Sequence, residues 1–301
     1  MFELKKEKIA IPVVLFAGLL WSFGPLVVRH MDQPGLAPWQ YIFARGLTIF
    51  VVLNLYLYFE EGKNFYKNYF RAGFSGLIGG CGLGIAMVTF IYSITNTSVA
   101  ITLLCLAAMP FFTALLGFLF LKEKISVNVW IAIIIATIGI IIIALGNTEK
   151  SSFVGLIFGM TSSIGFSVFS VTLRWRKETP KFTTVAIAGL FCVIMASIFI
   201  LINKASFFST SYNGALFSLH GVIVCMGLIL YSIGSKAIPA AELTLLSLTE
   251  VIGGIFWVWL PLFGINEIPS TNTIIGGFFL FMSIIYYSLT IKTNRRFIAL
   301  N

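Results

Sequence analysis

Two charged side chains lie inside long apolar runs of this sequence. Glu250 falls within TLLSLTEVIGGIFWVW, residues 244–259, and Arg45 falls within the apolar run 38–59. An ionisable group in hydrocarbon is costly, so it usually faces a protein interior or a wet cavity and marks a binding or ion pathway. We therefore expect Glu250 to bind a cationic part of a substrate, a coupling proton, or both.

Arg45 is the electrostatic complement of Glu250. It can hold a substrate carboxylate, or pair with Glu250 or with a helix-end carbonyl; the alternative is that it snorkels to the nearby membrane interface. The corresponding alternative for Glu250 is a protonated or paired glutamate that only fastens two helices together. If both functional interpretations hold, one cavity carries an anionic and a cationic group. Such a cavity suits a zwitterion, for example an amino acid or a related osmolyte.

Further candidates for substrate binding share one helical face with Glu250 or are aromatic residues beside Gly, Ser or Thr. Offsets of three or four residues define the shared face, where glycine permits close approach and tryptophan offers a flat apolar or cation-π surface. Glu242 lies on the same face but nearer the end of the run, where an interfacial position is the simpler interpretation. The other candidates are Thr249, Gly253 and Trp257 on that face, and the aromatic residues Trp21, Tyr92 and Tyr231.

The composition places the chain in a bilayer. Of the 301 residues, 58% are hydrophobic and only 10% are charged, and the mean hydropathy is +0.99. A soluble domain is typically about 25% charged, so a soluble fold of this size could not cover its surface with polar groups. The formal charge of +9 does not indicate nucleic-acid binding, because the basic residues sit in short loops between apolar runs.

No residue spacing indicates a metal site, a bound nucleotide or an enzyme. The sequence lacks a Walker motif, a dinucleotide fingerprint, zinc-ligand spacing and a nucleophile elbow. We therefore expect no cofactor, no metal and no catalytic residues, and coupling, if any, to an ion or a substrate gradient. His220 and His30 are weaker candidates for a proton relay. The four cysteines all lie in apolar segments as small packing residues: Cys81, Cys105, Cys192 and Cys225.

Runs of about twenty apolar residues are long enough to cross hydrocarbon as helices. Pro25 and Pro110 interrupt two such runs and predict kinks. A β-barrel does not fit, because runs such as WIAIIIATIGIIIIAL, residues 130–145, do not alternate. The sequence thus predicts an all-α integral membrane protein with ten spans: 9–29, 38–59, 70–94, 98–121, 127–146, 153–175, 182–203, 213–235, 241–264 and 271–291.

The basic residues set the orientation of these spans. With the N-terminus inside, 16 of the 20 lysines and arginines fall in inside segments and three fall in outside segments; Arg45 lies within a span. Inside loops of membrane proteins carry such an excess of positive charge. We therefore expect both termini in the cytoplasm of a bacterial cell, with the protein in the inner membrane.

Short sequence similarities divide the chain into two halves. Tyr92-Ser93-Ile94 and the nearby TLLCL at 102–106 correspond to Tyr231-Ser232-Ile233 and the TLLSL at 244–248. FLKEK at 120–124 likewise corresponds to FGINE at 263–267. These similarities predict two five-helix repeats, residues 1–147 and 148–301, in one membrane domain. Five is odd, so the repeats are inverted, as in transporters that open a central site to one side and then the other.

These patterns together resemble the drug/metabolite transporter superfamily, and specifically its EamA-type members. The residues that carry the resemblance are Trp21 in a WSFGP stretch, Arg45 in the second span, Pro110 ahead of Glu123, LTEV at 248–251, and the stretch 263–270. Three features depart from the family pattern: Gly46 follows Arg45, Val251 replaces a proline, and 263–270 carries two extra residues. The resemblance covers nearly the whole chain. It implies ten helices and, most commonly, export, and it leaves the substrate open.

The sequence thus predicts a secondary transporter that moves a small polar or zwitterionic metabolite by alternating access. We expect export, with protons as a candidate coupling ion, and a monomer in contact with substrate and lipid. An efflux pump for hydrophobic cations, using Glu250 and aromatic rings as a cage, is the alternative. An enzyme acting on lipid-linked substrates and a receptor or structural subunit have less support, because acid, base and metal groups do not cluster near either interface.

Overall fold

The computed structural model describes residues 2–32, 38–97, 99–145, 153–176, 178–264 and 270–298. In this part of the chain the secondary structure is helical throughout, with short turns between the helices. The helices are α1 Phe2–Trp21, α2 Gly24–His30, α3 Pro38–Glu61, α4 Lys67–Asn96, α5 Val99–Leu106, α6 Met109–Leu116, α7 Val127–Leu145, α8 Phe153–Trp175, α9 Lys181–Ile202, α10 Ser211–Gly234, α11 Ala240–Leu246, α12 Thr249–Trp259 and α13 Thr271–Ile298.

Six helical stretches of the described residues are long and apolar enough to cross a membrane. The longest, Pro38–Asn96, has 59 residues and contains both α3 and α4, whereas about twenty residues suffice for one crossing. Three shorter apolar helices accompany them, at Met109–Leu121, Val127–Gly139 and Ile274–Thr290. The predicted all-α, multi-pass membrane class is therefore confirmed.

The surface of the helix bundle is apolar and its interior contains small polar residues. Large side chains such as Ile134, Ile157 and Phe278 are exposed at mid-helix positions, an arrangement that a soluble protein avoids. In contrast, Ser162 and Ser167 of α8 are buried, and their hydroxyls donate to Ala86 O at 2.9 Å and to Met109 O at 3.1 Å. Lipid-covered bundles use such small polar residues between helices.

Three apolar segments of the chain are divided into two named helices each, and α4 has a kink of its own at Gly73, where φ is 53°. The breaks at Ser22–Phe23 and Ala107–Ala108 confirm the kinks predicted from Pro25 and Pro110, each the second residue of the helix that follows. The third break, at Ser247–Leu248, has no proline. It corrects the expectation of one continuous helical face from Glu242 to Trp257. Glu250 instead occupies the second position of α12, as the prolines do in α2 and α6.

Helices from the two predicted halves of the chain pack directly against each other. The main pairs are α4 with α8 and α9, α3 with α9 and α10, α1 with α10, and α7 with α13. Glycines allow the closest approach: Gly46 of α3 lies against Gly189 of α9, and a Cβ added to Gly46 would lie 2.9 Å from Gly189 O. The predicted boundary between residues 147 and 148 lies outside the described residues.

The α3–α9 contact predicts a stability effect at Gly46. The Cβ of a Gly46→Ala variant would also lie 2.7 Å from Cys192 Cβ, and such overpacking typically costs about 1–3 kcal/mol. We expect a lower midpoint of thermal unfolding in detergent. The matched control is Gly277→Ala in α13, where no heavy atom lies within 4 Å of the added Cβ. Because alanine favours helices over glycine, the control should be neutral or stabilising; equal midpoints for both variants would contradict the close packing.

Candidate functional site

A cavity lies where the three broken segments meet the long helices. Its lining includes residues next to each of the three breaks: Trp21 and Gly24 at the first, Leu106 and Met109 at the second, and Glu250 at the third. Its volume is about 80 Å³, several times the roughly 10–15 Å³ that one water molecule needs, so a small molecule or a cluster of waters fits. The rest of the lining comes from α3, α4, α8 and α10: Arg45, Leu83, Ala86, Met87, Phe90, Ser162, Phe166, His220, Val224 and Leu228.

Arg45 is held inside the bundle and does not reach the surface. Its side chain is only 4% exposed, one terminal nitrogen, Nη2, donates to Met87 O at 2.9 Å, and the guanidinium carbon lies 5.1 Å from the centre of the Tyr41 ring. Snorkelling to the membrane interface is therefore wrong for this residue. Its buried Nε has no hydrogen-bond partner among the described residues, so one donor of the guanidinium remains free.

Glu250 lines the same cavity from the first turn of α12. In the described part of the chain its carboxylate forms no hydrogen bond and no ion pair, although it interacts electrostatically with Arg45. Glu250 therefore does not fasten two helices through a direct polar contact.

His220 is a cavity residue to which the sequence assigned only a weak relay role. It is 2% exposed, its Nδ1 lies 2.5 Å from Tyr41 Oη, and its buried Nε2 has no partner among the described residues. A rise of about 1.5 Å per residue places His220 about 14 Å along α10 from Ser211, which is close to half the roughly 30 Å of hydrocarbon. The distance of His220 from the start of its helix is therefore the sequence feature that indicates a position deep in the membrane.

The aromatic candidates occupy different layers around the cavity. Trp21 lines it, and its ring packs at 5.5 Å from Phe166 and at 5.3 Å from Tyr231. Tyr231 lies behind Trp21, fully buried, with its hydroxyl 2.7 Å from Ser170 Oγ. Tyr92 stands outside the lining, where its ring packs at 4.8 Å from Trp39.

Thr249, Gly253 and Trp257 connect α12 to the α1–α2 break and do not line the cavity. Trp257 Nε1 donates to Ser22 Oγ at 2.7 Å, and the indole stacks on Phe23 with ring centres 4.8 Å apart. Thr249 Oγ1 donates to a backbone carbonyl of α1, Leu15 O, at 3.1 Å, and Gly253 packs against Ser22. All three share the unbroken helix α12 with Glu250, so their contacts with α1 and the α1–α2 break, and not the break before α12, keep them out of the lining.

A second polar cluster joins three segments away from the cavity. Arg174, at the end of α8, contacts Glu123 at 2.6 Å and donates to Ser235 O at 2.9 Å and Ile238 O at 2.8 Å. Glu123 Oε2 in turn accepts from Ala240 N at 3.3 Å. Glu242, the other carboxylate of the apolar run, accepts a hydrogen bond from Tyr287 in α13 and is not part of the cavity lining.

A helical bundle with an apolar surface and ionisable residues in an interior cavity is the architecture expected of a multi-pass membrane transporter. The sequence model of the EamA-like transporter family matches residues 8–145. This part of the chain, a little under half of it, is thus similar to EamA-like transporters, and the match supports the drug/metabolite transporter superfamily that the sequence patterns predicted. Among the described residues, no group of three His, Cys, Asp or Glu side chains could hold a metal ion.

Individual relatives agree with this assignment. An uncharacterized transporter of Helicobacter pylori J99 is 28% identical over 173 residues, 56% of each chain, so that alignment spans little more than half of the relative. One from strain 26695 is 24% identical over 82% of this chain and 84% of its own. The pseudopaline exporter CntI of Pseudomonas aeruginosa PAO1 is 24% identical over 68% of this chain and 72% of the exporter.

A solved crystal structure shares the fold. It superposes with a TM-score of 0.76 at 16% sequence identity, over 95% of this chain and 98% of the other. At this identity the likeness concerns the fold alone. The arrangement of helices around the cavity is therefore one that another protein also adopts.

The placement of Trp257 predicts a stability effect. Trp257→Phe keeps the stacking on Phe23 and removes the hydrogen bond to Ser22, which should lower the free energy of unfolding by about 1 kcal/mol. Trp259→Phe is the control, because Trp259 is 46% exposed on the same helix. Thermal unfolding of both variants in detergent measures the difference. A loss confined to Trp259→Phe would contradict the anchoring contact.

Proposed function

We propose that this protein is a secondary transporter that exports a small polar or zwitterionic metabolite across the bacterial inner membrane by alternating access. The observation that carries the proposal is the cavity in which Arg45 and Glu250 both take part without contacting each other directly. A substrate with one anionic and one cationic group can complement both. The proposal includes no enzymatic activity and no cofactor, a monomeric state, and a proton as the candidate coupling ion.

The proposed architecture has ten spans in two inverted halves, 1–147 and 148–301. In this scheme α1–α2 corresponds to α8, α3 to α9, α4 to α10, α5–α6 to α11–α12, and α7 to α13. The helix contacts support it: exchanging the halves converts the α4–α8 pair into α10–α1 and the α4–α9 pair into α10–α3, while α3–α9 and α7–α13 convert into themselves. The family model, which matches 8–145, covers nearly one such half.

Inverted halves suit alternating access because two similar units can exchange conformations around a fixed site. The site residues come from both halves, with Arg45 on α3 of the first and Glu250 on α12 of the second. A substrate bound between them would respond to movement of one half against the other. The excess of basic residues on one side supports cytoplasmic termini, and the name of the Pseudomonas relative, a pseudopaline exporter, supports export.

The polar cluster of Arg174 and Glu123 supports a gate on the cytoplasmic side of the proposed topology. It joins the ends of two helices to the 235–240 segment by one ion pair and backbone hydrogen bonds. Such contacts can break and re-form without disturbing apolar packing. Glu123→Gln keeps the size of the side chain but removes its charge, and should favour the state that is open to the cytoplasm.

Accessibility of a cysteine reporter tests the gate. In a background without the four native cysteines, Ser162→Cys places a thiol in the cavity lining. We expect an impermeant maleimide to label it several-fold faster in inside-out vesicles when Glu123→Gln is added. Glu178→Gln, at an exposed glutamate of a neighbouring connection, should leave the rate unchanged. Equal rates in the Glu123→Gln and reference proteins would contradict the gate.

The alternative function, efflux of hydrophobic cations, has one specific observation in its favour. Aromatic rings of Trp21, Phe90 and Phe166 line the cavity together with Glu250, and aromatic faces attract cations. Such a cage needs no anion-binding group. Arg45 in the same lining argues against it, because a buried guanidinium repels a cationic substrate.

A thermal-shift screen separates these functions. Purified protein is tested with amino acids, amines, betaines, nucleosides, vitamins and cationic dyes, since a ligand stabilises the folded state according to its concentration and dissociation constant. We expect zwitterionic metabolites to raise the unfolding midpoint, and Glu250→Gln to remove most of the shift. Glu60→Gln, at an exposed position, is the control. Stabilisation by dyes alone would favour the efflux pump, and full stabilisation and transport with Glu250→Gln would remove Glu250 from the site.

A further inference from the structure

We propose that His220 and Arg45 form a carboxylate-binding subsite in the cavity, positioned by Tyr41. This inference rests on the proposed function and specifies its substrate: a small metabolite with a carboxylate for this subsite and a cationic nitrogen for Glu250. The carrying observation is that two buried nitrogens, His220 Nε2 and Arg45 Nε, have no hydrogen-bond partner among the described residues. Both side chains line the same cavity.

Tyr41 determines which nitrogen of His220 carries the hydrogen. Its hydroxyl is fully buried and lies 2.5 Å from His220 Nδ1, and its other polar neighbour, Arg45, can only donate to it. If Nδ1 donated in a neutral ring, the tyrosine O–H would remain unpaired in the interior, which is costly. The hydroxyl therefore donates to Nδ1, and Nε2 carries the hydrogen. A doubly protonated ring would also carry a hydrogen on Nε2, so this nitrogen is a donor in both cases.

Tyr41 also joins His220 to Arg45. The guanidinium lies over the Tyr41 ring with 5.1 Å between its carbon and the ring centre, and Nη2 is fixed by Met87 O. The tyrosine thus contacts the imidazole through its hydroxyl and the guanidinium through its ring. The two side chains that carry the unpaired donors, Arg45 and His220, thus both contact Tyr41 and both line the cavity.

A carboxylate matches this pair of donors. Its two oxygens can accept one hydrogen bond each, and hydrogen bonds to charged groups are stronger than neutral ones. Buried donors that stay unpaired destabilise the folded protein, so the pair is a feature that a ligand would satisfy. Glu250 lies in the same lining, and Arg45 interacts electrostatically with both Glu250 and His220. The charges of the cavity thus complement a zwitterion and not a dianion such as phosphate.

Labelling of the histidines tests the donor assignment without a ligand. The chain has two histidines, His30 and His220, so ¹⁵N-histidine gives two sets of ring signals, and His30→Gln assigns them. We expect a hydrogen on His220 Nε2, and a shift of the Nδ1 resonance in Tyr41→Phe. A neutral ring with its hydrogen on Nδ1 would overturn the proposal.

Binding measurements test the ligand class with matched probes. Full-length protein in detergent is titrated with amino acids and with the corresponding carboxamides and amines, which keep the cationic nitrogen and lack the carboxylate. We expect amino acids to bind at least tenfold more tightly than their amides. His220→Phe should weaken amino-acid binding by about tenfold or more, as expected for a lost hydrogen bond to a charged group, and should leave amide binding nearly unchanged. His220→Gln, which retains an N–H donor, should recover part of the loss.

Tyr41→Phe is the second variant and reports on positioning. It keeps the ring under Arg45 and removes the hydroxyl, so we expect several-fold weaker binding of amino acids. Tyr69→Phe is its control, because this tyrosine also loses a side-chain hydrogen bond, to Asn54 at 2.8 Å, outside the cavity lining. If His220→Phe does not fold, Tyr41→Phe and the amide comparison still decide the question.

Several outcomes would overturn the subsite. Equal affinity for acids and amides, with transport intact, removes carboxylate recognition and leaves the proposed function standing. If inorganic phosphate displaces a bound amino acid better than acetate does, the subsite binds phosphate and not a carboxylate. If only hydrophobic cations bind, both the carboxylate subsite and the proposed zwitterion transport are wrong.

Discussion

The burial of two ionisable side chains, one basic and one acidic, in a bundle with an apolar surface constrains the rest of this structure. A charge in hydrocarbon is costly, so Arg45 and Glu250 require an interior that lipid does not reach. Breaks in the helices have the same requirement, because a broken helix frees backbone N–H and C=O groups that only a protein-lined cavity can satisfy. The charged residues and the three breaks therefore belong to one cavity, and the long helices α3, α4, α8 and α10 enclose it.

Residues outside the lining determine where the charges lie. Trp257 and Thr249 anchor α12 to the region of the α1–α2 break through Ser22 and Leu15 O. Any displacement of α1 would thus carry α12 and Glu250 with it. Tyr41, one turn from Arg45 on α3, contacts the guanidinium through its ring and joins α3 to α10 through His220. A transporter needs this combination, in which each charge is fixed to its own helix while the helices move against each other.

The class of the protein follows from the sequence, because run length, hydropathy and the low charge content reflect the bilayer directly. Pro25 and Pro110 likewise predict their breaks, since a proline cannot continue the hydrogen bonding of a helix. The break before Glu250 carries no such residue and depends on contacts between helices. The break separates Glu242 from the helical face of Glu250, whereas Thr249, Gly253 and Trp257 remain in the same helix as Glu250. Their absence from the cavity lining follows from the contacts of α12 with α1, and periodicity does not predict which neighbouring helix a residue contacts.

The proposed repeat clarifies why the chemistry is asymmetric while the packing is symmetric. Gly46 and Gly189 approach each other across α3 and α9, and in that register the counterpart of Arg45 is Ala188. If the two halves are aligned on Tyr92 and Tyr231, His220 corresponds to Cys81. If they are aligned on the TLLCL and TLLSL segments, Glu250 corresponds to Ala108. Each ionisable cavity residue thus corresponds to an uncharged one. Motion between two states requires similar packing in both halves, whereas recognition of a polar substrate requires different groups at its two ends. Glycine and small-residue contacts can serve the first need, and substitutions at a few interior positions can serve the second without altering the helix contacts on which the motion depends.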